Sequence, residues 1–278
     1  MSGASSAGED FMLPSFLREG RVTVLISSSI DPELNLQLED VILSFVENGE
    51  FGTVCRFWVN SECLVSGSVR HHSYGWYRED LADRMGVRVF KRSTGGGVVY
   101  HDLGNLNWSF YIRKDVASFL PPVNVFKEAA DVICGVLRQF GIEARFTFPN
   151  RIDVNGHKVS GMAGLSKPKS ILVHGTLLIA SDISKLNLLC IRPPGCPPVT
   201  NLCSLNADLT VERFIMKFLE HLNLSGCEFD VFVTEGFLSG DSGSPSPGTD
   251  LFYQAAPVLN RHVKVFEKSN GTNLFMKV

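Results

Sequence analysis

Three consecutive glycines, Gly95-Gly96-Gly97, sit between an apolar run and the hydrogen-bonding cluster Tyr100-His101-Asp102, in the stretch Arg92-Ser93-Thr94-Gly95-Gly96-Gly97-Val98-Val99-Tyr100-His101-Asp102. Glycines carry no side chain to fend off a ligand, so backbone N–H groups can approach anionic oxygens, and Arg92 adds a fixed positive charge. The stretch reads as a site for phosphate or carboxylate, with a tight turn between two strands as the alternative. Its neighbours narrow the folds open to the chain. Val87 to Arg92 reads as a strand leading into the glycines, and Leu106 to Ile112 alternates as a strand after them. A Rossmann fingerprint and a P-loop both need a helix directly after their glycines, so both are excluded.

Strand and helix patterns alternate on either side. Arg21 to Ile26 reads as a first strand, and Asp31-Pro32 opens a largely apolar helix that runs to about Glu47 and stops near Gly49. Thr53 to Val59 and Glu62 to Ser66 alternate like paired strands around Asn60-Ser61. Val123 to Phe140 is an amphipathic helix, and Arg151 to Val154 with His157 to Ser160 forms a hairpin turning on Asn155-Gly156. Ser170 to Ile179 is a further strand and Thr210 to Leu222 a further helix. Residues 1 to 20 read as a loose leader. Gly236 to Asp250 has the Gly, Ser and Pro content of a linker, and Val263 to Phe266 with Leu274 to Val278 flanks Asn270-Gly271 as a last hairpin. A lone hairpin is marginal in water, so this one is expected to dock.

With 278 residues, 44% hydrophobic and 20% charged, the chain can bury one substantial core and a small appended unit. A net charge of -3 supplies no basic field for nucleic acid or an anionic membrane. Met1 to Asp10 lacks the features of a signal or transit peptide, and no apolar run reaches membrane-spanning length. The 7 cysteines are odd in number and contain no C-x-x-C pair, which argues against a disulfide scaffold and a zinc site and fits a reducing cytoplasm.

Alone, Lys158 in His157-Lys158-Val159-Ser160-Gly161 would be a solvated strand lysine, and His174 in His174-Gly175-Thr176 a satisfied strand histidine. In this order with the glycine stretch, the three segments resemble the lipoate-protein ligases, within the wider group of biotin and lipoate ligases and octanoyltransferases. The resemblance covers roughly residues 21 to 222. It includes Asp31-Pro32-Glu33-Leu34-Asn35-Leu36, the signature Arg92 to Asn107, Asn150 through Gly161, His174-Gly175-Thr176-Leu177-Leu178 and Val199-Thr200-Asn201-Leu202.

The resemblance implies an α+β fold of the biotin/lipoate ligase catalytic-domain type, with a mixed, largely antiparallel central sheet flanked by helices over residues 21 to 225, then an atypical tail over 226 to 278. It implies two steps. ATP and lipoate give lipoyl-adenylate and pyrophosphate, then a lysine of an acceptor domain takes the acyl group and AMP leaves. Lys158 would stabilise charge at the carboxylate and α-phosphate. Arg92 would hold phosphate bidentately, with Gly95, Gly96, Gly97, Val98, Val99 and Tyr100 around nucleotide and acyl carbonyl, His101 and Asp102 orienting the loop, and Asn150 on the nucleotide. Gly67, His174, Gly175 and Thr176 would border the acyl tunnel. Magnesium is expected on the polyphosphate, held by phosphate and water with no dedicated protein cage. The implied partners are lipoyl domains of 2-oxoacid dehydrogenase acyltransferase subunits or the glycine cleavage H protein.

Some positions depart from the family pattern. Arg151 stands where an Asp usually follows the Asn, Gly67-Ser68-Val69-Arg70-His71 differs from the usual loop, and the residues after 225 lack the usual Trp-rich ending. A separate accessory polypeptide for adenylation is therefore expected. Two other functions remain open: an octanoyl or lipoyl acyltransferase using a thioester on Cys190 or Cys196, near Pro193-Pro194-Gly195, and a non-catalytic lipoate-binding module.

Overall fold

Alternation along Leu106 to Ile112 puts apolar and polar side chains on opposite faces of one strand, and the molecule is built around that division. The computed structural model describes residues 13–68, 75–115, 122–234 and 263–266. Its helices are α1 (Ser15–Arg18), α2 (Pro32–Glu47), α3 (Glu79–Arg84), α4 (Pro122–Arg138), α5 (Ile183–Leu189) and α6 (Val211–Leu224). The strands are β1 (Val22–Ser27), β2 (Val54–Trp58), β3 (Cys63–Ser66), β4 (Val89–Lys91), β5 (Val98–His101) and β6 (Asn105–Arg113), followed by β7 (Arg145–Thr147), β8 (Arg151–Val154), β9 (His157–Ser166), β10 (Ser170–Leu178), β11 (Phe229–Thr234) and β12 (Val263–Phe266).

Nine strands make one sheet, in the order β12-β11-β1-β2-β6-β10-β9-β8-β7, and β4-β3-β5 make a second. From β12 to β2 the large sheet is parallel, and from β2 to β7 it is antiparallel. It is the expected mixed, largely antiparallel α+β sheet. On one face Leu106, Trp108, Phe110 and Ile112 of β6 join Cys55, Phe57 and Val173 against α1, α4 and α6 in the main core. On the other, Leu25, Val54, Tyr111 and Leu172 pack under Ile42, Leu43 and Val46 of α2. Farther along this second face the side chains turn polar.

Local chemistry sets the helix that covers this face. The Asp31 side chain accepts from the amides of Glu33 and Leu34, and Pro32 occupies the first turn. Replacing Asp31 with Ala is expected to remove about 1 kcal/mol. The checking measurement is the urea midpoint, which should fall with no change in slope. At Asn155-Gly156 both residues have positive φ (49° and 78°), the conformation of a two-residue hairpin turn.

Three expectations need correction. Thr53–Val59 and Glu62–Ser66 do not pair with each other: β2 joins β6 in the large sheet, while β3 joins β4 and β5 in the small one. The leader ends before residue 20, because Leu13, Phe16 and Leu17 are buried in the main core. The body also runs past 225, because β11 pairs with β1 inside the large sheet. The docking segment Val263–Phe266 lies parallel to β11. The linker at 236–250, the second half of the last hairpin, Met1 to Asp10 and Val69-Arg70-His71 lie outside the described residues.

Candidate active site

Between the polar part of the second face and the small sheet lies a cavity of about 250 Å³. Register places its floor. Trp58 pairs with Asn107 and Asn107 with Thr176, while in the next row Arg56 pairs with Ser109 and Ser109 with His174. Cross-strand partners share a face, so each row presents its side chains together.

Lys158 enters the cavity through a bulge. Ile152 faces Ser160, but Asp153 faces Lys158, so β9 carries one extra residue at this point. That shift breaks simple alternation and re-aims the side chain. Its backbone is pinned from outside, since Lys158 N donates to Pro198 O (2.8 Å) and Thr200 N donates to Lys158 O (3.2 Å). Gly161 supplies the space: a Cβ there would lie 2.7 Å from Lys158 Nζ. The ammonium has no hydrogen bond or ion pair to a protein group among the described residues. Burial lowers its pKa from the ordinary lysine value, with Cys196, Arg151, Asp153 and Arg92 as the charged or titratable groups around it.

The glycine loop is shaped from inside by Arg92. This guanidinium, 8% exposed, donates to Thr94 Oγ1 (3.0 Å), Val65 O (3.0 Å), Gly95 O (2.8 Å) and Gly97 O (3.0 Å). Four of its five N–H groups are taken, three by the loop and one by Val65 on β3, which leaves one for a ligand and not the pair that bidentate capture of phosphate needs. Instead it turns loop carbonyls inward, and the amides of Gly95, Gly96 and Gly97 donate to no protein acceptor among the described residues. Close approach explains two glycines here. A Cβ on Gly67 would lie 2.3 Å from Gly96 O, and one on Gly97 would lie 2.8 Å from the Trp76 indole.

A buried hydrogen-bond chain ties this loop to α2. Arg92 Nε donates to Thr94 Oγ1, whose own proton is then free for His174 Nε2 at 2.8 Å. His174 Nδ1 bonds Glu39 at 2.8 and 3.0 Å, and Ser109 Oγ donates to Glu39 at 2.7 Å. Burial pushes Glu39 upward, but His174, Ser109 and Arg56 outweigh it and leave the carboxyl below its ordinary value. His101, in contact with the same cavity, is driven down to about 3 by burial and by Arg92.

The cavity brings together Arg92, Gly96, Gly97, Val98, Val99 and His101 with Asn150, Lys158, His174, Gly175 and Thr176. Four expected residues stand outside its lining. Tyr100 is buried with Leu64, Ala82, Val87 and Leu189, and its hydroxyl donates to Glu62 (2.6 Å). Asp102 accepts from the amides of Gly104 and Asp182, holding the turn before β6 against the start of α5. Gly95 O accepts from Arg92 (2.8 Å), and Gly67 N donates to Gly97 O (3.2 Å). Gly175 does line the cavity, but its missing side chain makes room for the Trp108 ring, 2.5 Å from a Cβ position, and not for a ligand. Asn150 Nδ2 donates to Met162 O (2.6 Å), which leaves Oδ1 as the atom for a ligand.

Sequence reading passed over Glu39, Trp58, Trp76 and Asn107, which also line the cavity. Glu39 carried a usable signal, a carboxylate within the apolar stripe Leu36, Ile42, Leu43 and Val46. The structure separates the two cysteines. Cys196 lines the cavity, whereas Cys190 packs with Tyr77, Leu81 and Leu186, and burial pushes its thiol up to about 12. No group of three or more His, Cys, Asp or Glu residues able to hold a metal is found among the described residues. No helix among them is long and apolar enough to cross a membrane.

A model of the lipoyl protein ligase A/B catalytic domain matches residues 31–223. The lipoate-protein ligase LplJ of Bacillus subtilis is 33% identical over 203 residues, 69% of this chain and 59% of that protein. Among solved structures, a bi-partite lipoate protein ligase from Thermoplasma acidophilum, described with its E2 lipoyl domain, superposes with TM-score 0.65 at 19% identity, covering 86% of this chain and 92% of that one. A lipoate-protein ligase A bound with ATP gives TM-score 0.67 at 19% identity over 85% and 94% of the two chains. At that identity the two structures speak for the fold. The chain spans about half to three-fifths of the length of the curated relatives it matches.

Proposed function

Because this chain belongs to the lipoyl protein ligase A/B catalytic-domain family, we propose that it activates lipoate with ATP and passes the lipoyl group to a lysine of a lipoyl-acceptor domain. The observation that carries this reading is that the Lys158 ammonium, without a protein partner among the described residues, shares one cavity with Gly96 and Gly97 of the glycine loop, whose amides meet no protein acceptor among the described residues. A carboxylate oxygen of lipoate attacks the α-phosphorus, pyrophosphate leaves, and a mixed anhydride with AMP forms. The acceptor amine then attacks the acyl carbon, and AMP departs as the amide forms. Both steps gather negative charge between carboxylate and phosphate, where a fixed cation and oriented amides stabilise it. Lys158 is a point charge able to serve both oxygens. Magnesium would take its ligands mainly from polyphosphate oxygens and water, a donor set suited to that ion.

The acyl chain lies over the row Thr176, Asn107 and Trp58, sealed by the small sheet. The acceptors are lipoyl domains of 2-oxoacid dehydrogenase acyltransferase subunits or the glycine cleavage H protein. A second polypeptide assists adenylation; the support is that this chain covers 92% of a chain described as bi-partite. The deciding experiment incubates the chain, with and without such a polypeptide, with ATP, lipoate and an unmodified acceptor domain. Pyrophosphate release and a lipoyl mass gain on one acceptor lysine are expected. Absence of both in every combination would leave a binding module.

One observation favours a second reading, a thioester acyltransferase: Cys196 lines the cavity beside Lys158. Cys190 is not among the residues that line it. For the ligase, Cys196→Ser should change the ATP-dependent rate by less than about twofold, since no bond forms to sulfur. Loss of about 10²-fold or more, together with acyl transfer from a carrier protein without ATP, would put the nucleophile at Cys196.

A further inference from the structure

Beside Lys158 stands a second cation that the chemistry described above leaves unused. Arg151 follows Asn150 in the chain and pairs across β8 and β9 with Gly161, and both of these neighbours line the cavity. Paired residues share a face, so Arg151 stands on the cavity face, one strand from Gly161, about 5 Å at ordinary spacing. Lys158 Nζ lies over that same glycine. The bulge between Ile152 and Asp153 brings the two cations together, because it re-aims Lys158 while Arg151 keeps its regular register opposite Gly161.

The Arg151 guanidinium is anchored by one edge. Its Nε donates to Asp153 Oδ2 (2.9 Å) and Oδ1 (3.2 Å). The four N–H groups on Nη1 and Nη2 meet no protein acceptor among the described residues, whereas Arg92 keeps only one. Two free parallel donors are what bidentate recognition of a phosphate requires, and Arg151 has them. The buried Asp153 carboxylate fixes the side chain and offsets part of its charge. Lys158 still feels Arg151 and Arg92 as positive neighbours against Asp153 as a negative one, a surplus that suits an anion.

Position tells which part of a ligand this fork meets. One row crosses the sheet through Trp58, Asn107, Thr176, Gly161 and Arg151, with Gly161 N contacting Thr176 Oγ1 at 3.5 Å. It is dry at one end and wet at the other: Trp58 and Asn107 are 4% and 2% exposed, whereas the Arg151 side chain is 25% exposed. Burying uncompensated charge is costly, so the apolar part of a ligand belongs toward Trp58 and its most charged part toward Arg151. In ATP that part is the outer pair of phosphates, which also carries hydrated magnesium and needs access to water.

We propose that Arg151 binds the β- and γ-phosphates of ATP, the portion that leaves as pyrophosphate, while Lys158 serves the carboxylate and the α-phosphate. As the carboxylate oxygen bonds to the α-phosphorus, the bond from that phosphorus to the bridging oxygen breaks, and its electron pair stays on pyrophosphate, where the guanidinium meets the charge. This role rests on the ATP-dependent reading given above and concerns a position at which the chain departs from the usual Asp of its family.

The test is calorimetry on the full chain with magnesium, comparing ATP with AMP, which lacks both outer phosphates. Arg151→Ala should weaken ATP binding about tenfold and AMP binding by less than about twofold, the usual effect of losing hydrogen bonds to a charged group. Arg151→Met, which keeps an unbranched stem and loses every donor, should do the same, and thermal melts verify that each variant is folded. An equal loss for the two nucleotides, or an ATP affinity unchanged in either folded variant, overturns the role. So does a wild-type chain that binds ATP and AMP alike, a comparison that needs no variant. Binding of neither nucleotide to the wild type overturns the ATP reading, and the role of Arg151 with it.

Discussion

Lys158→Ala is expected to slow ATP-dependent pyrophosphate release by about 10² to 10³-fold, the usual effect of removing one group aimed at developing charge. The loss should fall mainly on kcat, because the ammonium matters most when carboxylate and phosphate share negative charge. Lys158→Arg should not rescue it. A guanidinium is larger and planar, and Nζ already sits where a side chain on Gly161 would be. Gly161→Ala provides a second variant, since a Cβ would displace the ammonium without touching backbone. Burial also lowers the Lys158 pKa, so the free enzyme should lose the charged form at a pH below that of an ordinary lysine. Bound phosphates favour the ammonium, so the alkaline limb of kcat should lie above that of kcat/KM. Retention of more than a tenth of the wild-type rate by Lys158→Ala would remove this residue from the chemistry.

Much of this site could be read from the sequence, because its parts are local. The glycine loop lies between strands, the hairpin turns on Asn155-Gly156, and the resemblance carried Lys158 and His174. What escaped reading depends on contacts distant in the chain. In the sequence Arg92 reads as a phosphate ligand, because its partners, Val65 and the loop carbonyls, become visible only once β3 lies beside the loop. Tyr100 and His101 are adjacent, yet a strand sends them to opposite faces, one to a small apolar core and the other to the cavity. On β6 the polar positions Asn105, Asn107 and Ser109 would ordinarily mark a solvent face, but all are buried. Alternation predicts the division of faces and is silent on what covers each one. The same limit applies to Cys55–Cys63, where the chain crosses between sheets without a pattern that distinguishes a crossover from a hairpin. β11, next to the edge strand β12, has no local signal of its place because its parallel partner β1 lies some two hundred residues away.

Glu39→Ala is expected to destabilise the fold by about 3 to 5 kcal/mol, since removing one member of a buried charged network strands the others. The carboxylate is 1% exposed, and Arg56, fully buried beneath the same helix, donates to Ser27 and Asn35 and pairs with no carboxylate among the described residues. Glu39 thus supplies a negative charge that interacts with a cation that cannot reach water. Loss of Glu39 also frees His174 Nδ1 and Ser109 Oγ, and the His174 ring is what holds Thr94 toward Arg92. Glu39→Gln keeps an acceptor for these groups and removes only the charge, so its loss should be smaller. The two variants together separate charge from hydrogen bonding. The pH dependence has a definite sign. The folded carboxyl titrates below its unfolded value, so its contribution is fully present above about pH 4.3 and is lost as pH falls through the folded pKa. The stability gap between wild type and Glu39→Gln, from urea titrations at a series of pH values, should be constant near neutrality and close in acid. A gap that does not change with pH would mean that Glu39 acts by packing and not as a charge. A Glu39→Ala loss below about 1 kcal/mol would mean that Arg56 finds its compensation elsewhere, and the chain from α2 to the glycine loop would then lose its anchor.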